Sequence, residues 1–127
     1  MKKLIQLYLL CLLCLFSSMS LAQDLVLART PALNPNENEI AFSYQGDIWT
    51  YDLQKLRANR LTIHEAYESN PVYSPDGNNI AFNGNRFGNN DVFTISREGG
   101  FPKRLTYHST ADKLTDWSHE GQLIFET

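Results

Sequence analysis

An all-β fold built from repeated four-stranded units is predicted by a hairpin pattern that recurs along the chain. The stretch PVYSPDGNNIAF at 71–82 has the pattern of a β-hairpin, and PALNPNENEIAF stands 40 residues earlier at 31–42. A third copy, TDWSHEGQLIF, occupies 115–125. A period of about 40 residues with several short strands per unit is typical of β-propeller blades. Helical repeats of similar length need long runs of 3.6-residue periodicity, which the chain after its N-terminal segment lacks.

The residues between the hairpins repeat as well, which indicates four antiparallel strands per blade. GDIWTYD at 46–52 aligns with NDVFTIS at 90–96, and NRLTIH at 59–64 aligns with KRLTYH at 103–108, both at an offset of 44 residues. An insertion around residues 86–89 explains the increase in offset from 40 to 44. The sequence thus predicts a partial β-propeller of about two and a quarter blades: blade one at about 31–62, blade two at about 71–106, and the start of blade three at about 114–127.

The first 22 residues predict a secretory signal peptide. Lys2 and Lys3 give a charged start, an almost unbroken apolar run covers 4–16, and residues 20–22 supply small side chains at the −3 and −1 sites of a cleavage point. The apolar run is short for a membrane span of about 20 residues. Cleavage after Ala22 therefore predicts a periplasmic or secreted protein with no membrane attachment, in which 23–127 form the incomplete propeller.

Removal of the signal peptide changes the composition of the chain. Both cysteines leave with it, so the mature chain is expected to form no disulfide and to have no thiol chemistry. The formal net charge of −3 becomes more negative, because 9 Lys and Arg remain against 14 Asp and Glu. This balance argues against nucleic acid and against an anionic membrane surface as partners.

The hairpin turns supply the residues singled out in the sequence, and we interpret them as structural. A proline with fixed φ, an aspartate that bonds to nearby backbone and a glycine that accepts positive φ together favour a tight turn. A serine that recurs with the repeat is interpreted as part of the turn rather than as a nucleophile. The predicted turn residues are Ser74, Pro75, Asp76, Gly77, Ser118 and Gly121.

Blade one departs from this pattern, because Glu37 stands where blade two has Gly77. A positive φ at Glu37 costs on the order of 1 kcal/mol. We therefore expect Asn36 or Asn38 to adopt the left-handed conformation and the turn to shift.

In blade two, Arg86 and Asp91 flank the inserted loop. We expect them to form a solvated pair on that loop, with contact to a neighbouring domain as the alternative. Phe82, Phe93 and Ile95 are predicted to lie between sheets, and so is Leu105.

The sequence contains no recognisable catalytic constellation. G-x-S-x-G, H-E-x-x-H and G-x-x-x-x-G-K-[ST] are all absent from residues 1–127. His64 and His108 occupy equivalent repeat positions, where a metal or proton site is one interpretation and a polar residue in the strand crossover is the favoured one. We predict no catalytic residue, no cofactor and no metal in this piece.

The repeat resembles a known group of proteins. P-x-[YW]-S-P-D-G-x-x-I-A-F, followed by D-V-F-x-I and E-G-G-x-P-x-R-L-T, is similar to the propeller repeats of exported peptidases related to tricorn protease. It also resembles the propellers of TolB-like periplasmic proteins and of prolyl-oligopeptidase relatives. The segments IAFSYQGDIW at 40–49 and KRLTYHSTADKLTDWS at 103–118 are most similar to the tricorn group. The resemblance covers about 31–127.

This resemblance implies a function at a distance from the catalytic chemistry. In tricorn-like serine peptidases the propellers come first, act as gates or scaffolds for peptides, and precede the domains that carry the catalytic groups. The implied partners are the remaining blades and catalytic domain of the parent chain, peptides or proteins as ligands, and a homo-oligomer as a further option. The alternative is a non-enzymatic TolB-like binding propeller. The peptidase is favoured because the first repeat starts about ten residues after the cleavage point, whereas TolB-like proteins carry an α/β domain there.

Overall fold

A computed structural model describes residues 27–127, in which ten strands form three antiparallel sheets in chain order. The first sheet contains β1 (Arg29–Leu33), β2 (Glu39–Tyr44), β3 (Asp47–Asp52) and β4 (Arg57–Arg60). The second contains β5 (Glu68–Tyr73), β6 (Asn79–Gly84), β7 (Asp91–Ser96) and β8 (Lys103–Arg104). The third contains β9 (Lys113–Trp117) and β10 (Leu123–Glu126).

The predicted all-β fold with four-stranded antiparallel blades is confirmed by these sheets. In both complete sheets the strands follow one another in sequence order, so each blade is a simple meander. The predicted signal peptide and its cleavage point lie outside the described residues. Within 27–127 there is no helix with the length and apolar character that crossing a bilayer demands.

The expected shift of the blade-one turn is wrong, because Glu37 itself adopts a φ of +55°. The turn keeps the blade-two geometry: the Glu37 N–H donates to the Asn34 carbonyl at 2.8 Å, and the Asn34 N–H donates to the Glu39 carbonyl at 2.9 Å. Asn34 Oδ1 also accepts the Asn36 N–H at 2.7 Å, which fixes the residue that was expected to move. Hydrogen bonding within the turn thus outweighs the strain at Glu37.

Replacing Glu37 by glycine is expected to stabilise the protein by about 1 kcal/mol, because glycine adopts positive φ without the steric cost. Urea unfolding of the full-length gene product measures the change. The matched control is Asn36→Gly, which adds the same backbone freedom to the unfolded chain at a neighbouring position without positive φ. An equal gain from both substitutions would show that strain at Glu37 is not the cause.

The core lies between the sheets, and each sheet presents a different set of residues to each neighbour. Small and aliphatic side chains of the first sheet meet larger side chains of the second sheet. That cluster comprises Ala41, Ile48, Leu61, Tyr73, Ile80, Phe82, Phe93 and Ile95. The opposite face of the second sheet contributes Ala81 and Val92, which meet Leu114 of β9. The predicted burial of Phe82, Phe93 and Ile95 is confirmed, and Leu105 is half-buried on the opposite face of that sheet.

The other face of the first sheet has no described sheet against it. Ile40, Phe42 and Tyr51 are the repeat counterparts of Ile80, Phe82 and Ile95, and they line an apolar cavity of about 310 Å³. The face that blade two buries against blade one is therefore open in blade one. In a closed propeller every sheet has a neighbour on both faces, and this is the face of the first sheet that a further sheet would cover.

Candidate functional site

The turn between β5 and β6 is stabilised by its own side chains and backbone. Ser74 Oγ donates to Asp76 Oδ1 at 2.5 Å and accepts the Asn79 N–H at 3.0 Å. Gly77, at φ +71°, donates its N–H to the Ser74 carbonyl at 2.8 Å. Pro75 is exposed at the tip. These contacts occupy the serine hydroxyl within the turn, and the structural role of these residues stays a prediction.

The turn between β9 and β10 has the same construction. Gly121, at φ +81°, donates its N–H to the Ser118 carbonyl at 3.0 Å. Ser118 Oγ accepts the Gln122 N–H at 3.1 Å. His119 takes the place of the turn proline and is exposed. The repeat of sequence is thus a repeat of hydrogen bonding.

Replacing Ser74 by alanine is expected to raise the pKa of Asp76 toward its ordinary value. The hydrogen bond from Ser74, followed by those from Asn78, holds the pKa of the Asp76 carboxyl below that value. The stabilisation is therefore present above the ordinary carboxyl range and is lost as the pH falls through the lower folded value. Carboxyl NMR titration measures the shift, and Ser118→Ala, in the equivalent turn, should leave Asp76 unchanged. An unaltered Asp76 titration in Ser74→Ala would contradict the assignment.

The opposite end of the sheets, where the crossovers between blades lie, contains acid–arginine pairs that repeat at an offset of 44 residues. Asp47 Oδ2 accepts a hydrogen bond from Arg60 Nε at 3.0 Å, and Asp91 Oδ1 accepts one from Arg104 Nη2 at 3.0 Å. Both carboxylates are buried. Each pair joins the start of a third strand to the fourth strand of the same blade, so it fixes the outer part of the sheet.

The predicted solvated pair of Arg86 with Asp91 is wrong. Arg86 Nε donates to Glu68 Oε1 at 2.7 Å, and the Arg86 guanidinium lies 5.2 Å from the centroid of the Phe93 ring. Asp91 is bound by Arg104 instead. The reason is burial: Glu68 at the start of β5 has no exposed surface, so its charge requires a cation that the loop arginine supplies.

The two equivalent histidines, His64 and His108, make different contacts. The His64 backbone N–H donates to Asp47 Oδ1 at 3.0 Å, and its Nδ1 accepts the Ala66 N–H at 2.9 Å. His108 Nδ1 lies 3.7 Å from Asp112 Oδ1. Among residues 27–127, no group of three or more His, Cys, Asp or Glu side chains could hold a metal ion. The contacts of His64 fit the predicted role of a polar residue in the crossover.

The first strands of the three sheets lie side by side and form what we call the inner-strand surface (β1, β5 and β9). Asn70 joins them: its N–H donates to Thr30 Oγ1 at 3.2 Å, and its Nδ2 donates to the Leu114 carbonyl at 2.6 Å. The sheets extend outward from this line toward β4 and β8. Propeller blades surround a central channel, and in such a ring the inner-strand surface is the part of this chain that would border it.

The inner-strand surface is irregular at equivalent positions in the first two sheets. Thr30 has a φ of +48° and Asn70 a φ of +55°, and each precedes a proline, Pro31 and Pro71. The strand pairing shifts register at both points. Asparagine tolerates this conformation well, whereas a β-branched residue such as threonine is strained in it. Strained backbone is often found at binding sites, so strain at repeated positions makes this surface a candidate binding site.

A cavity of about 340 Å³, which we call the crossover cavity, opens at the crossover end of the inner-strand surface. Its lining includes Arg29 from β1 and Gln45 from the turn after β2, together with His64, Glu65 and Tyr67 from the crossover. Residues with guanidinium, imidazole, carboxylate and phenol groups therefore line one space, beside apolar Leu27 and Ala66. Such a set can offer both donors and acceptors to a polar chain.

A second cavity, of about 400 Å³, lies at the turn end of the same surface. Leu33, Val72 and Trp117 provide apolar lining from three consecutive inner strands, and Asp116 adds a carboxylate. Leu33 is exposed despite its apolar side chain. The inner-strand surface thus has an accessible cavity at each end, and each lining combines apolar and polar side chains.

The repeated sheets and their linked inner strands agree with a known family of domains. The family model described as the tricorn protease N-terminal β-propeller domain matches residues 25–127. The chain belongs to this family. A similar relative, tricorn protease homolog 1 of Streptomyces coelicolor, is 30% identical over 92 residues, which cover 72% of this chain and 9% of the relative.

Solved structures of two kinds of protein are similar to this tricorn-family propeller. The putative TolB of Agrobacterium tumefaciens superposes with a TM-score of 0.71 at 26% identity, covering 77% of this chain and 37% of the other. The crystal structure of tricorn protease gives a TM-score of 0.71 at 24% identity, covering 80% of this chain and 11% of that one. The chain is thus a propeller domain of the tricorn-like or TolB-like kind, and it spans only a small part of these proteins.

Sequence reasoning missed the ion pairs and the inner-strand surface of this tricorn-family propeller. The pairs had a signal, because Asp47 and Arg60 recur 44 residues later as Asp91 and Arg104. The irregular positions of the inner strands also had a sequence signal, a proline that recurs at an interval of 40 residues. The crossover cavity had no sequence signal, since Arg29 precedes the first predicted repeat and has no counterpart in the pattern.

Proposed function

We propose that this chain is the N-terminal propeller of an exported tricorn-like serine peptidase, located in the periplasm or secreted, and that it gates or guides peptides. The observation that carries the proposal is the inner-strand surface, with an accessible cavity at each end, in a chain of the tricorn family. The catalytic groups would belong to later domains of the parent protein. In this proposal residues 27–127 contribute binding and positioning and take no part in bond cleavage.

The chemistry of the two cavities supports contact with a peptide chain. A peptide in transit presents backbone donors and acceptors together with side chains of mixed polarity. Arg29, Glu65 and Tyr67 can meet the polar groups at one end, and Leu33 and Trp117 can meet apolar side chains at the other. Buried apolar area and a few polar groups are what ligand cavities of this size commonly combine.

A second candidate function is a non-enzymatic, TolB-like propeller that binds a periplasmic protein. The observation in its favour is the superposition on the putative TolB of Agrobacterium tumefaciens at 26% identity. In that case the same surface would hold a partner protein rather than pass a substrate.

The full-length gene product, assayed with long and short peptides, distinguishes these functions. We expect hydrolysis that a serine-directed inhibitor abolishes. Arg29→Trp, which fills the crossover cavity, should lower kcat/KM for long peptides roughly tenfold, equivalent to about 1.4 kcal/mol, and leave short substrates unaffected. The matched control is Arg57→Trp, on the outermost strand of the same sheet, which should change neither rate.

Each result bears on a different part of the proposal. Absence of hydrolysis in the wild type would overturn the peptidase assignment and favour the TolB-like function, especially if one periplasmic protein binds. Hydrolysis of long peptides that Arg29→Trp leaves unchanged would overturn the gating role alone.

A further inference from the structure

Three buried carboxylates at the crossover end each have an arginine. Asp47 is bound by Arg60, Asp91 by Arg104, and Glu68 by Arg86. The carboxylate side chains are 0–3% exposed, and every partner is a guanidinium. A planar guanidinium with paired donors matches a carboxylate better than an ammonium does. Arginine is therefore the cation that this end of the fold uses.

Asp112 is a fourth buried carboxylate, and it differs from the other three. Its side chain is 0% exposed, yet neither carboxylate oxygen has a hydrogen-bond partner among residues 27–127. The nearest basic group is His108 Nδ1 at 3.7 Å, on a side chain that is 64% exposed. That separation is too long for a hydrogen bond. A buried charge left in this state is strongly unfavourable.

Asp112 occupies the same place in its crossover as Glu68 does, 44 residues earlier. The Glu68 N–H donates to the Gly46 carbonyl at 2.8 Å, and the Asp112 N–H donates to the Asn90 carbonyl at 2.7 Å. The carbonyl of each acid accepts a hydrogen bond from a side chain on the second strand of the preceding sheet, at 2.8 Å in both cases. The backbone frame is thus the same, but among residues 27–127 no arginine pairs with Asp112.

We propose that Asp112 is the receiving half of an ion pair whose guanidinium comes from polypeptide outside residues 27–127. Residues 1–26 contain no arginine, so the N-terminal segment does not supply it. The donor belongs either to further polypeptide of the same gene product or to a separate chain bound at this crossover.

Arginine labelling of the full-length gene product tests this pairing. Phenylglyoxal modification, read by mass spectrometry, is compared in the wild type, Asp112→Asn and Asp112→Glu. We expect one arginine outside 27–127 to react severalfold faster in Asp112→Asn and to stay protected in Asp112→Glu, because that substitution keeps the carboxylate. A labelled peptide from the same chain identifies an internal donor, and one from a co-purifying chain identifies a partner.

Two controls accompany the labelling. Glu68→Gln should release Arg86 in the same way, and Asp116→Asn, at an exposed carboxylate nearby, should release no arginine. The proposal is overturned if no arginine outside 27–127 changes its reactivity in a folded Asp112→Asn protein. If that variant unfolds, an experimental structure of the wild type decides: a guanidinium within hydrogen-bond distance of Asp112 supports the proposal, and its absence overturns it.

Discussion

Replacing Phe82 by alanine is expected to lower the free energy of unfolding by about 3–5 kcal/mol. Phe82 is fully buried between the first and second sheets, and its ring stacks on Phe93 with centroids 5.6 Å apart and planes at 17°. The substitution removes apolar contact area between the two blades. It also leaves a cavity that the strands cannot move to fill, because backbone hydrogen bonds hold them in place. Urea unfolding of the full-length gene product measures the loss.

The control for Phe82 is Phe101, whose side chain is 100% exposed. Phe101→Ala should change the free energy of unfolding by no more than about 0.5 kcal/mol, as is usual for surface positions. Similar losses from both substitutions would mean that the contact between blades does not dominate the stability of this region.

Replacing Arg86 by methionine is the second substitution with a large expected effect, a loss of about 3–5 kcal/mol. It leaves the buried Glu68 carboxylate without its cation, while the apolar part of the side chain is preserved. Denaturant unfolding at neutral pH measures the change. Arg57→Met provides the matched control, because Arg57 is exposed on β4 and pairs with none of the buried acids within 27–127.

The double variant Glu68→Gln/Arg86→Met isolates the cause of that loss. With the charge removed from position 68, the methionine should cost much less than it does alone, since no unpaired carboxylate remains buried. If the double variant lost as much stability as the two single variants together, the pairing of Glu68 with Arg86 would not be the source of the effect.

The fold followed from the sequence wherever local chemistry decides the backbone. Ser74, Pro75 and Gly77 define one turn, and Ser118 and Gly121 repeat it, so the hairpins and their period were predictable. The Glu37 turn was not, because its conformation depends on bonds made by Asn34 that compete with local strain. The conformational preference of single residues predicted positive φ at Asn36 or Asn38, whereas Glu37 adopts it.

The candidate site was less predictable, because its groups meet only after the sheets assemble. Arg86 and Asp91 are near neighbours in sequence, but each finds its partner elsewhere: Arg86 reaches back to Glu68 across the crossover, and Asp91 meets Arg104 across a strand pair. The cavities at the ends of the inner-strand surface depend on the same assembly. Sequence periodicity identifies equivalent positions in the blades, and only the register of the strands says which of them touch.

The difference between the two faces of each sheet has a consequence for how such domains arise. A sheet that meets its neighbour through unlike faces joins head to tail, and this kind of interface closes into a ring when the rotation per unit allows it. A duplicated gene segment of about 40 residues would therefore encode a sheet that already fits the sheets on either side of it. Ring size can change through copying and loss of such segments, with no new interface to evolve at each step. The repeat offsets between 31–42, 71–82 and 115–125 are what this mode of growth predicts.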